Sequence, residues 1–167
     1  MVDSQNPQWF SQLKETNFLG RIHPDTLIVN DAKKLKNLKV IPNMKKIDVY
    51  HDTRLVFGYE VTYQLPDQDN KKFQVGHHIG SHLTAEVTCS TFEFEDGEYI
   101  NNLVVYAGDL VDSIYFETNK NRNFKAGGSG GGPNPARMEG KNPRVVALGA
   151  GLGGHVHHFR VYYVDQL

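Results

Sequence analysis

Cysteine is nearly missing from this chain: Cys89 stands alone, so no intrachain disulfide framework can staple the fold. Net charge is nearly missing as well. Eighteen basic and nineteen acidic side chains leave −1, which removes any electrostatic reason to expect nucleic acid or an anionic membrane surface as a partner. No apolar run approaches membrane-spanning length, so membrane insertion is not expected. Met1 to Phe10 shows no basic-then-apolar leader pattern, and no Asn-x-Ser/Thr acceptor occurs. These absences favour a cytoplasmic or other reducing compartment.

Catalytic and metal signatures are equally scarce. Eight histidines include His155, His157 and His158 close together and His77 and His78 in a glycine loop, but no cysteine cluster or His-Glu-x-x-His pattern accompanies them. They read as structural or surface histidines, and no metal or cofactor is called for. Asp109 and Asp112 fall on one turn, which leaves no opposite face for a glycosidic bond between them. Ser113 has no nucleophile motif around it, and Cys89, in the strand-like run EVTCSTFEF, reads as buried and inert. No enzyme is indicated, and no catalytic residue is assigned.

What the chain does have is glycine, sixteen of them, among short bursts of Val, Tyr, Phe and Thr, the composition of an all-β protein. At 167 residues it is long enough for one domain with a real core. In PQWFSQLKETNF (7–18) the spacing of Trp9, Phe10, Leu13 and Phe18 predicts a short amphipathic helix, plugging one end of the body or binding a partner. Residues 1–17 are accordingly read as an N-terminal helical extension and 18–167 as the main domain. Six lysines between Asp31 and Lys46 (33, 34, 36, 39, 45, 46) read as a solvated loop or an edge strand, with phosphate binding as the alternative.

From Ile47 onward the sequence repeats itself. VFGYEVTY (56–63), VDSIYFET (111–118) and VHHFRVYY (156–163) are octets with apolar residues near every second position. Upstream, IDVYHDTRL (47–55) matches LVVYAGDL (103–110), and downstream FQVGHHIG (73–80) matches FKAGGSGG (124–131). The third copy has its own glycine approach, GAGLGGH (149–155), but no matching downstream half before Leu167. A strand between Phe18 and Val29 is expected to complete it, giving three four-stranded units about a pseudo-threefold axis.

AGDLVDSIYF followed by GGSGGGP, and the terminal VVALGAGLGGHVHHFRVYYV, resemble the jacalin-related lectins over about 120 residues, Ile47 to Tyr163. The resemblance implies a β-prism of three Greek-key four-stranded sheets and a sugar-binding, non-enzymatic domain most like the mannose/glucose-type members. It implies Asp112 as acceptor from two adjacent sugar hydroxyls, and Asp109 and Leu110 as backbone N–H donors. Gly130 and Gly131 would be the bare backbone against which the sugar packs. A carboxylate with two oxygens suits paired hydroxyls, and glycine permits the close approach.

The other two units depart from that pattern. Thr53-Arg54-Leu55-Val56-Phe57 puts Phe57 at the acceptor position, facing Gly76-His77-His78-Ile79-Gly80, and Gly153-Gly154-His155-Val156-His157 puts His157 there. Neutral histidine accepts only one hydrogen bond, so neither unit offers a two-hydroxyl grip. The partners expected are mannose/glucose-type glycans. The alternative is a structural or protein-docking subunit of a larger assembly, with other proteins or further copies of the chain (a homo-oligomer) as its partners.

Overall fold

A computed structural model describes residues 8–78 and 87–166, with 76–78 as backbone alone. The chain opens with helix α1 (Gln8–Ser11), strands β1 (Lys14–Glu15), β2 (Leu19–Gly20) and β3 (Leu27–Asn30), and helix α2 (Asp31–Leu35). Strands β4 (Asn43–His51), β5 (Val56–Leu65), β6 (Lys71–His78) and β7 (Thr88–Glu93) form the first sheet, in the order β6-β5-β4-β7. The second comprises β8 (Ile100–Ala107), β9 (Val111–Thr118), β10 (Asn123–Gly127) and β11 (Gly132–Pro135), ordered β10-β9-β8-β11. In both, three consecutive hairpin-linked strands are followed by a fourth that returns beside the first, the Greek key.

The third sheet joins β12 (Pro143–Leu152) and β13 (Val156–Asp165) to the early strands: β3 lies against β12, while β1 and β2 lie against β13. The missing half-unit is thus supplied from Lys14 to Asn30, its third strand split into two short pieces. The three octets start β5, β9 and β13. Each faces the preceding strand with the same two register shifts, at Met44/Lys46 and Tyr50/His51, Ile100/Asn102 and Tyr106/Ala107, and Val145/Ala147 and Gly151/Leu152. Bulges kink and twist a strand locally, so their threefold recurrence bends three sheets in the same way. The downstream sequence match is two residues out of step with this pairing. Gly127 faces Ser113, and the residue facing the equivalent Gly58 is His78, not Gly76.

Alternation along the octets sends Tyr59, Val61 and Tyr63, Ile114 and Phe116, and Phe159, Val161 and Tyr163 into one core. Phe92 and Phe116 meet edge-on at 5.1 Å between the first and second sheets, and Tyr59 and Phe159 meet at 5.1 Å between the first and third. Full burial of such a side chain is worth about 1.5–3 kcal/mol, so the three central strands hold the sheets together.

Three expectations change. The helical spacing of 7–18 is realised only over Gln8–Ser11, where buried Trp9 donates its indole N–H to the Leu38 carbonyl at 2.6 Å. By Lys14 the backbone is already pairing with β13, because Tyr162 and Tyr163 offer it a strand to join. The lysine-rich stretch is neither all loop nor an edge strand. It opens as α2, capped where Asn30 accepts from the Ala32 N–H, and Ala32, Leu35 and Leu38 bury at helical spacing beneath exposed lysines. Lys45 and Lys46 lie on β4, an interior strand. Cys89 is exposed rather than buried, since β7 is an edge strand and Cys89 lies on its outer face.

Candidate functional site

The β8–β9 turn and the loop between β10 and β11 lie at the same end of the second sheet, because Ala107 pairs with both Val111 and Gly132 and Gly127 pairs with Ser113. Gly108 N–H donates to the Leu110 carbonyl at 3.1 Å and tightens the turn. The N–H groups of Asp109 and Leu110 have no acceptor among the described residues. Gly127, at φ +121°, lies so close to the Asp112 carbonyl that a Cβ there would stand 2.2 Å from it, and Gly128 N–H donates to that same carbonyl at 2.7 Å.

These contacts bring the glycine loop to the acid. A Cβ on Gly130 would stand 2.8 Å from one Asp112 carboxylate oxygen, and one on Gly131 (φ +81°) 2.5 Å from the other. Asp112 is half-buried, and no described residue donates a hydrogen bond to its carboxylate. The structure therefore gathers Asp109, Leu110, Asp112, Gly130 and Gly131 at one end of one sheet, with two carboxylate oxygens and two backbone donors that no other described residue engages.

At the equivalent end of the first unit Phe57 is buried, its ring 4.9 Å from that of His155. The acidic residue of that turn, Asp52, is spent on its own backbone, accepting from the N–H of Arg54 at 2.7 Å and of Leu55 at 2.8 Å. Burial pushes its carboxyl up, but those bonds and the Arg54 charge outweigh it and hold the carboxyl below its ordinary value. In the facing loop, Ile79, Gly80 and the side chains of His77 and His78 lie outside the described residues.

In the third unit His157 takes the place of Asp112. Its Nδ1 and Thr26 Oγ1 share a 2.8 Å hydrogen bond, its ring lies 4.2 Å from that of His23, and a Cβ on Gly153 would stand 2.3 Å from it. Burial, and then the neighbouring His23 and His155, press its pKa below the ordinary 6.5, which favours the neutral ring.

A jacalin-like lectin domain model matches residues 30–162. The chain belongs to the jacalin-like lectin family. That is a family of carbohydrate-binding proteins rather than enzymes. Griffithsin, from Griffithsia sp., is 39% identical over 88 residues, 52% of this chain and 67% of griffithsin. Two solved lectin structures share the fold at lower identity. A mannose-binding jacalin-related lectin from Ananas comosus superposes with a TM-score of 0.67 at 20% identity, over 93% of this chain and 99% of that one. Frutapin, a lectin from Artocarpus incisa, gives 0.71 at 19% identity, over 92% and 97%.

Among the described residues no three His, Cys, Asp or Glu side chains converge as a metal ion would require, and no helix is long and apolar enough to cross a membrane. Two residues at this end of the molecule escaped the sequence. The Arg21 guanidinium pairs with the Asp109 carboxylate, and His23 Nε2–H donates to the Asp109 carbonyl at 2.6 Å. Both come from the early segment that completes the third sheet. Only knowing where that segment lies brings them near residue 109.

Proposed function

We propose that this lectin domain binds one mannose/glucose-type hexose per chain, at the end of the middle unit. The observation that carries the reading is the Asp112 carboxylate, lying against the backbone of Gly130 and Gly131 with no hydrogen-bond donor among the described residues. Its two oxygens suit two adjacent hydroxyls, while the N–H groups of Asp109 and Leu110 donate back to sugar oxygens. The glycine loop lets the pyranose ring rest on bare backbone. Phe57 and His157 fill the corresponding places in the other units, which supports a stoichiometry of one. The mannose-binding relative from Ananas comosus makes that sugar the first to try. Galactose is the expected weak ligand.

Titration calorimetry with methyl mannoside, mannose and galactose tests this. Asp112→Asn keeps the size and one acceptor but removes the charge-assisted bonds, worth about 1.5–3 kcal/mol, so affinity drops roughly tenfold to a hundredfold. Such a shallow site is weak alone, and several copies in one assembly would raise avidity. If Asp112→Asn binds as tightly as wild type, or wild type binds no hexose at millimolar concentration, the reading gives way to a prism that serves as a protein-docking subunit. Leu27 and Ile28, exposed on edge strand β3, are where such docking would be sought.

A further inference from the structure

We propose that Arg21 and His23 are positioning residues for the middle-unit sugar site, steadying its turn from the third unit through their two contacts with Asp109. The proposal rests on the single-site reading above. Residues 21–26 run between β2 and β3 as residues 128–131 run between β10 and β11, so they are the third unit's counterpart of the glycine loop. Gly20 and Gly127 match in detail: they face the equivalent residues His158 and Ser113, at φ +126° and +121°. In the middle unit the loop closes over its own Asp112, and a Cβ on Gly128 would stand 2.5 Å from the Arg54 carbonyl of the neighbouring turn. The third-unit loop likewise reaches a neighbouring turn, that of the middle unit, and there it carries side chains that can grip.

The grip has a firm base. Leu19 and Gly20 pair with β13 and Leu27–Asn30 pair with β12, so the loop is tied at both ends. A Cβ at Gly20 would stand 2.7 Å from the His157 carbonyl, which leaves the backbone no room to slide. Thr26 is bonded to His157, and the His23 ring rests beside the His157 ring.

What the grip controls follows from the peptide bond. The carbonyl of Asp109 and the N–H of Leu110 belong to one planar trans unit and point in opposite directions. Holding that carbonyl with His23 therefore aims the Leu110 N–H, one of the two donors assigned to the sugar. Arg21 contributes less, because its ion pair with Asp109 is exposed and screened by salt.

Methyl mannoside titration on the full chain, with a thermal unfolding midpoint for each variant, tests the assignment. His23→Ala is expected to weaken binding roughly twofold to tenfold at an unchanged midpoint. His23→Gln, whose side-chain N–H can reach the same carbonyl, restores most of the loss. Arg21→Ala has a smaller effect that fades with added salt. The assignment is overturned if His23→Ala binds like wild type while Asp112→Asn loses affinity, a result that leaves the single-site reading standing. It is also overturned if His23→Gln fails to rescue, since ring packing against His157 would then be what matters. Wild type without any binding removes both the site and its positioning.

Discussion

The middle and third units carry the same backbone to the same end of the prism and finish it differently. Both have a bulged hairpin, a glycine at positive φ facing the third residue of the octet, and a loop that turns back toward the second residue. In the middle unit that second residue is Asp112, whose carboxylate accepts and receives no hydrogen bond from any described residue. In the third it is His157, whose Nδ1 is engaged by Thr26 and whose ring fills the space beside Gly153 and His23. The fold therefore tolerates an open and a filled end on one scaffold. The side chain at a single octet position, with the loop that faces it, decides which results.

The largest effect that would break this contrast is expected from Gly131→Val. It forces φ +81° on a β-branched residue, costing about 1–3 kcal/mol, and drives Cβ into the Ala107 N–H and the Asp112 carboxylate. Sugar binding and a lowered unfolding midpoint should both register it. Gly130→Val should abolish binding at nearly the wild-type midpoint, because its Cβ meets only the tip of Asp112 and its φ is not in the left-handed region.

Acid should separate the units more gently. Burial, first of all, and then neighbouring positive charge lower the pKa of both His157 and His158; for His158 a backbone hydrogen bond to Arg21 acts the other way. The unfolded chain takes up these protons near the ordinary 6.5 and the folded chain only at lower pH. Stability is therefore full above about pH 6.5, declines as pH falls through that value, and levels off below the folded pKa values. Denaturant midpoints at about pH 7.5 and about pH 5 should show the loss, and His158→Gln should shrink it. Smallest of all, His157→Ala should lower hexose affinity by less than His23→Ala does, because it removes only the support of Thr26 and the His23 ring and leaves the bond to Asp109 in place. His157→Asp should leave the stoichiometry at one, because residues 21–26 remain over that end; a second bound sugar would show that the acid alone makes the site.

The prism was legible because its evidence is periodic. Three octets, their upstream partners and their glycine approaches mark the central hairpins, and the lack of a downstream half after β13 pointed to the segment before Val29. That Asp109, Leu110, Asp112, Gly130 and Gly131 gather at one end was legible because Gly108 to Asp112 is a local pattern and the glycines of 127–131 follow it one hairpin later. The rest depends on contacts far apart in the chain. Nothing around Cys89 says that its strand is an edge, and the six lysines hid the helical spacing of Ala32, Leu35 and Leu38. The burial of Phe57 against His155 and the reach of Arg21 and His23 to Asp109 exist only once three sheets are assembled.

The way the third sheet is closed also sets an order of assembly. Residues of the first two sheets find most of their partners within a few dozen positions, whereas Lys14 waits for Tyr163, Leu19 for Phe159 and Val29 for Ala150. Loop-closure entropy rises only slowly with separation, but such distant pairings form late. On a ribosome the early segment must stay unpaired until β12 and β13 have emerged. Residues 108–131, although contiguous, would therefore reach their final geometry only after the last strand has docked and carried Arg21 and His23 onto the turn.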